Sequence, residues 1–222
     1  MNIIKHAEFF DPTECKEAIH IIGVGAVGSH IAELIARIGI EEEIYLYDFD
    51  KVDDTNVCTQ MFFESDIGKP KTEATKNLML MINKSIDVIT FNKGYTDQAL
   101  SGHVFLCADN VDTCKSIVKD NKQNDKIKAM YDCRLLLTSA QCYVTAWNNK
   151  ESVNNFYNSM NFTREEAKKA TPVGACGSGL AVIPTIKSIT SLCVAQFINI
   201  NLGKKIQSTI LIDPFKGAIV TI

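Results

Sequence analysis

Ile19-His20-Ile21-Ile22-Gly23-Val24-Gly25-Ala26-Val27-Gly28, followed by a helix-like stretch to residue 38 and then Ile44-Tyr45-Leu46-Tyr47-Asp48, decides the fold of this chain. The order reads as strand, tight glycine turn, helix, strand and acid. Gly23 permits the turn, Gly25 lets an anion approach bare backbone, and Gly28 lets helix lie against strand, while the unpaired N–H groups of the helix N-terminus face the anion. Asp48 stands twenty positions beyond Gly28, where a carboxylate takes the hydroxyls of a ribose. The alternative use of these glycines is packing alone.

The alternation of strands and helices continues. Residues 86–91, 103–107 and 127–132 read as third, fourth and fifth strands, and residues 26–38, 71–83 and 111–122 as the intervening helices. Strands joined by helices require crossover connections, so the fold class is α/β: a Rossmann-like, doubly wound, largely parallel sheet covered on both faces. After Tyr131 the pattern changes. Gln141 to Trp147 alternates like an exposed-edge strand, Thr163 to Ala170 reads as a short helix with Thr163 as N-cap and Glu166 three residues on, and Leu180 to Leu202 as a long core helix ending at Gly203. Two final strands, 207–212 and 218–222, flank a hairpin loop at 213–217, which gives a C-terminal antiparallel β extension. The expected organisation is one domain: an N-terminal segment (1–18), a Rossmann-like core (19–132) and a C-terminal extension (133–222).

Bulk properties narrow the function. At 222 residues with a formal net charge of −3, the chain carries no polyelectrolyte signature, so nucleic acid is not the expected partner. The apolar stretch 180–200 is broken by Pro184, Lys187 and Gln196, which suits a buried helix and no membrane span. Residues 1–10 lack a signal-peptide pattern, and eight scattered cysteines without a C-x-x-C pair read as buried small hydrophobes in a reducing compartment. The expected location is cytoplasmic.

The loop after Asp48 carries the chemistry. It runs Asp50, Asp53, Asn56, Thr59, then Gly68-Lys69-Pro70-Lys71 at a helix start, and Asp109-Asn110 follows the fourth strand. In this order and combination the chain resembles the ThiF/MoeB/HesA family of ubiquitin-activating-enzyme-like adenylyltransferases. That resemblance implies ATP and Mg²⁺ as cofactors. It assigns Asp48 to the ribose, Asn56 and Lys71 to the phosphates, Asp109 to the metal, Asp50 to a supporting or metal-facing acid and Asn110 to shaping the loop, with Gly23, Gly25 and Gly28 cradling the nucleotide. It places Arg134, in Tyr131-Asp132-Cys133-Arg134, towards the carboxylate substrate or a partner's tail, and Cys176, in Ala175-Cys176-Gly177-Ser178-Gly179, as a thioester- or persulfide-forming thiol. Read without the family, the acids and asparagines serve as strand ends, turns and caps, Lys71 as a surface lysine, Arg134 as a salt-bridge partner and Cys176 as an incidental thiol.

By the same resemblance, the substrate is the C-terminal carboxyl of a ubiquitin-like or sulfur-carrier protein, and the assembly a homodimer. The pattern is departed from where Thr59 and Cys114 stand in place of arginines and where no arginine precedes the first strand. The two C-x-x-C pairs that hold structural zinc in several relatives are missing, so no structural zinc is expected. The chain has no room for a catalytic-cysteine domain or a ubiquitin-like module, which suits a minimal, prokaryotic or viral-type member. Two other functions fit parts of the sequence: a non-catalytic nucleotide-binding scaffold of the same family, and an NAD-dependent oxidoreductase using Asp48 on an adenine ribose.

Overall fold

The computed structural model of the chain describes residues 1–162, 165, 166, 169 and 180–222. Among these, eight strands form one sheet: β1 (Ile19–Ile22), β2 (Ile44–Tyr47), β3 (Val88–Phe91), β4 (Gly102–Leu106), β5 (Ile127–Leu135), β6 (Ala140–Ala146), β7 (Thr209–Asp213) and β8 (Ala218–Thr221). Their spatial order is β3-β2-β1-β4-β5-β6-β7-β8. The first five run parallel and the last three antiparallel. This is the doubly wound sheet with a β extension that the sequence implies.

Among the described residues, five α-helices of nine residues or more accompany the sheet: α1 (Ala26–Ile38), α2 (Lys71–Ile82), α3 (Val111–Asp120), α4 (Lys150–Asn158) and α5 (Ile183–Asn201). α1 ends where Gly39 turns left-handed at φ 89°, a conformation that costs glycine nothing. One apolar core joins Ile31 and Ile35 of α1 and Ile189, Val194 and Phe197 of α5 to Ile21, Phe105 and Tyr131 of the sheet. The second joins Ile117 of α3 and Val153 and Phe156 of α4 to Ile22, Val104 and Met130. Inward and outward residues of the same strands therefore enter different cores, as a sheet buried on both faces requires. α5 is long and apolar enough to cross a membrane, but Ile186, Ile189, Cys193 and Phe197 are fully buried in the protein.

Three expectations need correction. The segment expected as an exposed-edge strand is β6, an interior strand paired with β5 on one side and β7 on the other; its alternation arises because only one of its faces lies against the α5 core. β5 continues to Leu135, so Arg134 lies within the strand and not beyond it. α4 was not foreseen, because its polar surface hides a short stripe of Val153 and Phe156; Asn149 starts it by accepting the Ser152 N–H. The helix expected at 163–170 lies mostly, and Cys176 wholly, outside the described residues.

Because β1 pairs with β2 on one side and β4 on the other, the strand order reverses at β1. The crossovers leave β1 in opposite directions there, opening a crevice at the carboxyl ends of β1 and β4, the place where such sheets hold ligands.

Candidate functional site

The three glycines at this crevice have different surroundings. A Cβ on Gly23, at φ 90°, would lie 2.7 Å from the Cys107 carbonyl oxygen, so the turn fits against the end of β4 only without a side chain. A Cβ on Gly28 would lie 1.9 Å from the Gly23 carbonyl oxygen, which fixes how closely α1 approaches the turn. A Cβ on Gly25, at the N-cap of α1, would meet nothing within 4 Å. Bare backbone with open space in front of it, at the positive end of a thirteen-residue helix, is the arrangement an anionic phosphate needs.

Asp48 closes one side. Its Oδ2 accepts the Val24 N–H at 2.8 Å and its Oδ1 the Asp50 N–H at 2.9 Å, so the carboxylate ties the end of β2 to the glycine turn. Burial raises its pKa above the usual carboxylate range, against the two N–H donors and the charge of Lys71, which pull it down. Lys71, at the start of α2, is buried, and its Nζ lies 3.1 Å from Asp50 Oδ2 while its own N–H bonds the Asp50 carbonyl. The lysine is thus no surface residue. It is held at the mouth of the crevice by a carboxylate that is half exposed and available for exchange.

The other predicted residues take varied positions. Asn56 Oδ1 accepts the Asp53 N–H at 3.0 Å, so its side chain caps a short 3-10 turn. Asp109 is exposed in the β4–α3 loop, just beyond Cys107 and Ala108, whose backbone touches Gly23, and Asn110 caps α3 by accepting the Asp112 N–H. Arg134 is committed internally: Nη2 lies 2.6 Å from Asp132 Oδ2, Nη1 donates to the Ser159 carbonyl at 2.7 Å, and the guanidinium covers the Tyr143 ring at 4.2 Å. The structure therefore joins the glycines, Asp48, Asp50 and Lys71 by direct contact and brings the Asp109 loop alongside, while Arg134 serves the β5–α4 junction.

Two residues that sequence reasoning missed hold the loop after β2. Ser29 Oγ accepts the Met61 N–H at 3.1 Å, and His30 Nε2 bonds the Thr59 carbonyl at 3.2 Å, both from the first turn of α1. Burial lowers the His30 pKa, against the Thr59 carbonyl, which raises it. From α5, Lys187 Nζ comes within 4.0 Å of Met61 Sδ and adds positive charge beside the loop that carries Thr59. The polar pair directly after Gly28 was the only trace of this latch in the sequence.

The donors present fit a nucleotide: open glycine backbone for phosphate, a buried lysine beside it, a strand-end carboxylate for ribose, and an exposed aspartate in the adjoining loop for a hard cation. Ubiquitin-like modifier-activating enzyme 5 of Caenorhabditis elegans is 28% identical over 119 residues, 53% of this chain and 26% of that protein. Its counterpart in Drosophila grimshawi is 36% identical over 106 residues, 46% and 25% of the two chains. The matched region is thus about a quarter of the length of these relatives. Among solved structures, Escherichia coli MccB with ATP superposes with a TM-score of 0.76 at 20% identity, over 95% of this chain and 65% of that one. PaaA superposes with a TM-score of 0.74 at 15% identity, over 99% and 68%. At such identities these likenesses establish the fold, and they agree with the ThiF family model, which matches residues 15–218; the chain belongs to the ThiF family.

Proposed function

We propose that this chain is an ATP- and Mg²⁺-dependent adenylyltransferase that activates the C-terminal carboxyl of a ubiquitin-like or sulfur-carrier protein. The observation that carries the reading is the open space over Gly25, set between two glycines that are crowded, with the Lys71–Asp50 pair beside it. Family membership supports it. So do relatives that are ubiquitin-like modifier-activating enzymes, and a structural neighbour solved with ATP and, in another crystal, with MccA-N7isoASN.

Each residue has a task in that reaction. The N–H groups around Gly25 and the N-terminus of α1 hold phosphate oxygens, and Asp48 holds the ribose while fixing the turn through Val24. Lys71 exchanges its Asp50 partner for phosphate oxygens, which keeps a positive charge in place without reorganising the chain. Asp109 would hold Mg²⁺, Asn56, whose Oδ1 caps its turn, would offer its amide N–H groups to the phosphates, and Asn110 shapes the loop. Magnesium, when bound, supplies the positive charge that makes pyrophosphate a better leaving group. Cys176 is the proposed acceptor for a subsequent thioester or persulfide, and the assembly is proposed to be a homodimer.

A second reading has its own support. Arg134 is spent on Asp132 and Ser159, and Thr59 and Cys114 replace arginines, which suits a scaffold that binds nucleotide without turning it over. ATP–pyrophosphate exchange with candidate carriers separates the two. Exchange that disappears in Lys71→Ala supports the enzyme. Tight ATP binding with no exchange and no AMP release for any carrier supports the scaffold.

A further inference from the structure

At the end of the sheet opposite the crevice, the segment before β1 lies against the start of β4. The two strands pair with Ile19 beside His103, and the His103 N–H bonds the Ala18 carbonyl at 2.9 Å. Gly102 makes the approach possible: a Cβ there would lie 2.2 Å from the Ala18 carbonyl oxygen and 2.9 Å from Glu17 Cβ. Three chemically different side chains meet at this junction. The Cys15 thiol, a Glu17 carboxylate oxygen and a ring nitrogen of His103 all lie within 4.8 Å of one another.

His103 is fully buried, and its two nitrogens are unequally served. Nδ1 is 2.9 Å from the Tyr131 hydroxyl, whereas Nε2 has no partner at hydrogen-bond geometry among the described residues. The nearby Asn201 amide interacts with the ring but is held elsewhere at short range, its oxygen accepting from Lys128 Nζ at 3.0 Å and one N–H donating to the Phe197 carbonyl at 3.0 Å. A buried ring nitrogen without a partner is costly in an apolar core, and a metal ion is one of the few groups that relieves it. The arrangement matches ligating histidines, in which the other ring N–H is held by an oxygen that fixes the tautomer.

We propose that Cys15, Glu17 and His103 bind a zinc-type divalent cation, which fastens the segment preceding β1 to β4. The ligand set is one sulfur, one oxygen and one nitrogen, and zinc takes all three at about 2.0–2.3 Å. At those lengths tetrahedral ligand atoms stand roughly 3.4–3.6 Å apart, so a modest inward movement closes the site. The charges balance: binding expels the Cys15 thiol proton to solvent, and the thiolate and carboxylate together neutralise the dication. Glu17 now pairs with Lys128 at 2.8 Å, and both side chains are about one-third exposed, so the ammonium returns to water when the cation takes its place. Solvent supplies the fourth ligand. These residues are not the C-x-x-C positions of the family's structural zinc.

A second cluster, Cys133, Cys142 and Cys193, also has its sulfurs within 4.8 Å of one another. It lies wholly inside the apolar core and leaves no polar nitrogen or oxygen without a partner. Three thiolates around a dication would bury a net negative charge there, so packing of small hydrophobic thiols accounts for it. It provides the control.

The test is titration of the reduced, chelator-treated chain with Co²⁺ alone, followed by its thiolate-to-cobalt charge-transfer absorption and by far-ultraviolet circular dichroism. One Co²⁺ per chain with that band is expected in the parent and in Cys193→Ala. The band should vanish in Cys15→Ser, and affinity should fall at least tenfold in Glu17→Gln, which keeps the shape of the side chain and an oxygen for Lys128. A parent without the band, a band that survives Cys15→Ser or is lost in Cys193→Ala, or unchanged affinity in Glu17→Gln overturns the proposal.

Discussion

Substituting alanine at Gly25 and at Gly28 separates what the glycine turn does for the fold from what it does for a nucleotide. At Gly28 the added Cβ falls 1.9 Å from the Gly23 carbonyl oxygen and 3.2 Å from Ile21 Cγ2, and the first of these is backbone that cannot turn aside. Moving from 1.9 Å to the 3.0 Å that real Cβ atoms respect requires α1 and the turn to part by about 1.1 Å. A gap of that size forfeits roughly a quarter to a half of the dispersion energy across the facing surfaces, and α1 meets the sheet there through Val27 and Ile31. With overpacking alone costing about 1–3 kcal/mol, the expected loss for Gly28→Ala is about 3 kcal/mol or more. At Gly25 the added methyl meets nothing within 4 Å, so the loss of stability should be smaller than at Gly28. That methyl occupies the space over the bare backbone, and ATP affinity should fall at least tenfold, about 1.4 kcal/mol. Urea unfolding and calorimetric ATP titration measure the two quantities. A Gly28→Ala chain as stable as the parent would refute the steric argument; a Gly25→Ala chain that binds ATP as the parent does would refute the placement of the phosphates.

Lys71→Met keeps most of the buried stem and removes the charge. Since Asp50 is half exposed, stability should change by less than about 1 kcal/mol while ATP–pyrophosphate exchange falls at least a hundredfold, and retained exchange would remove Lys71 from the mechanism. Arg134→Met leaves the buried Asp132 carboxylate without its cation and should cost about 3–5 kcal/mol, most of it recovered in Asp132→Asn/Arg134→Met; urea midpoints that show no such coupling would contradict the pairing. Burial holds the pKa of His20 down to about 4 and of His103 down to about 3. Between those values and the unfolded value near 6.5 the unfolded chain binds more protons, so this contribution to stability is complete above pH 6.5 and is lost as pH falls, by about 2 kcal/mol for each ring at pH 5. Either imidazole titrating near 6.5 by NMR in the folded protein would disprove the assignment.

The crevice end of the sheet was legible because its signals are local. A strand, a glycine turn and a helix occupy consecutive residues, so the periodicity of 19–38 and the acid at Asp48 specify both the elements and the side of the sheet on which they end. α1 begins and ends where the pattern places it, since Gly25 and Gly39 are its caps. β6 and α4 were less legible for a different reason. Whether an alternating strand is interior or at an edge depends on which strand arrives beside it, and β7 comes from more than sixty residues further along the chain. The short apolar stripe of α4 acquires its meaning only when Trp147 and Ile117 are packed near it.

The sequence by itself determined that the chain winds a parallel sheet around a glycine turn, and its resemblance to the ThiF family singled out the acids and the lysine as site candidates. Only the tertiary structure decided which polar groups are free to act. It commits Arg134 to Asp132, turns Lys71 inward onto Asp50, latches the Thr59 loop to His30 and buries His103 beside Cys15 and Glu17. The reason is physical: local patterns fix backbone conformation, whereas the partner of a polar side chain is set by groups that meet across the sheet from distant parts of the chain, and burial makes each of those pairings matter.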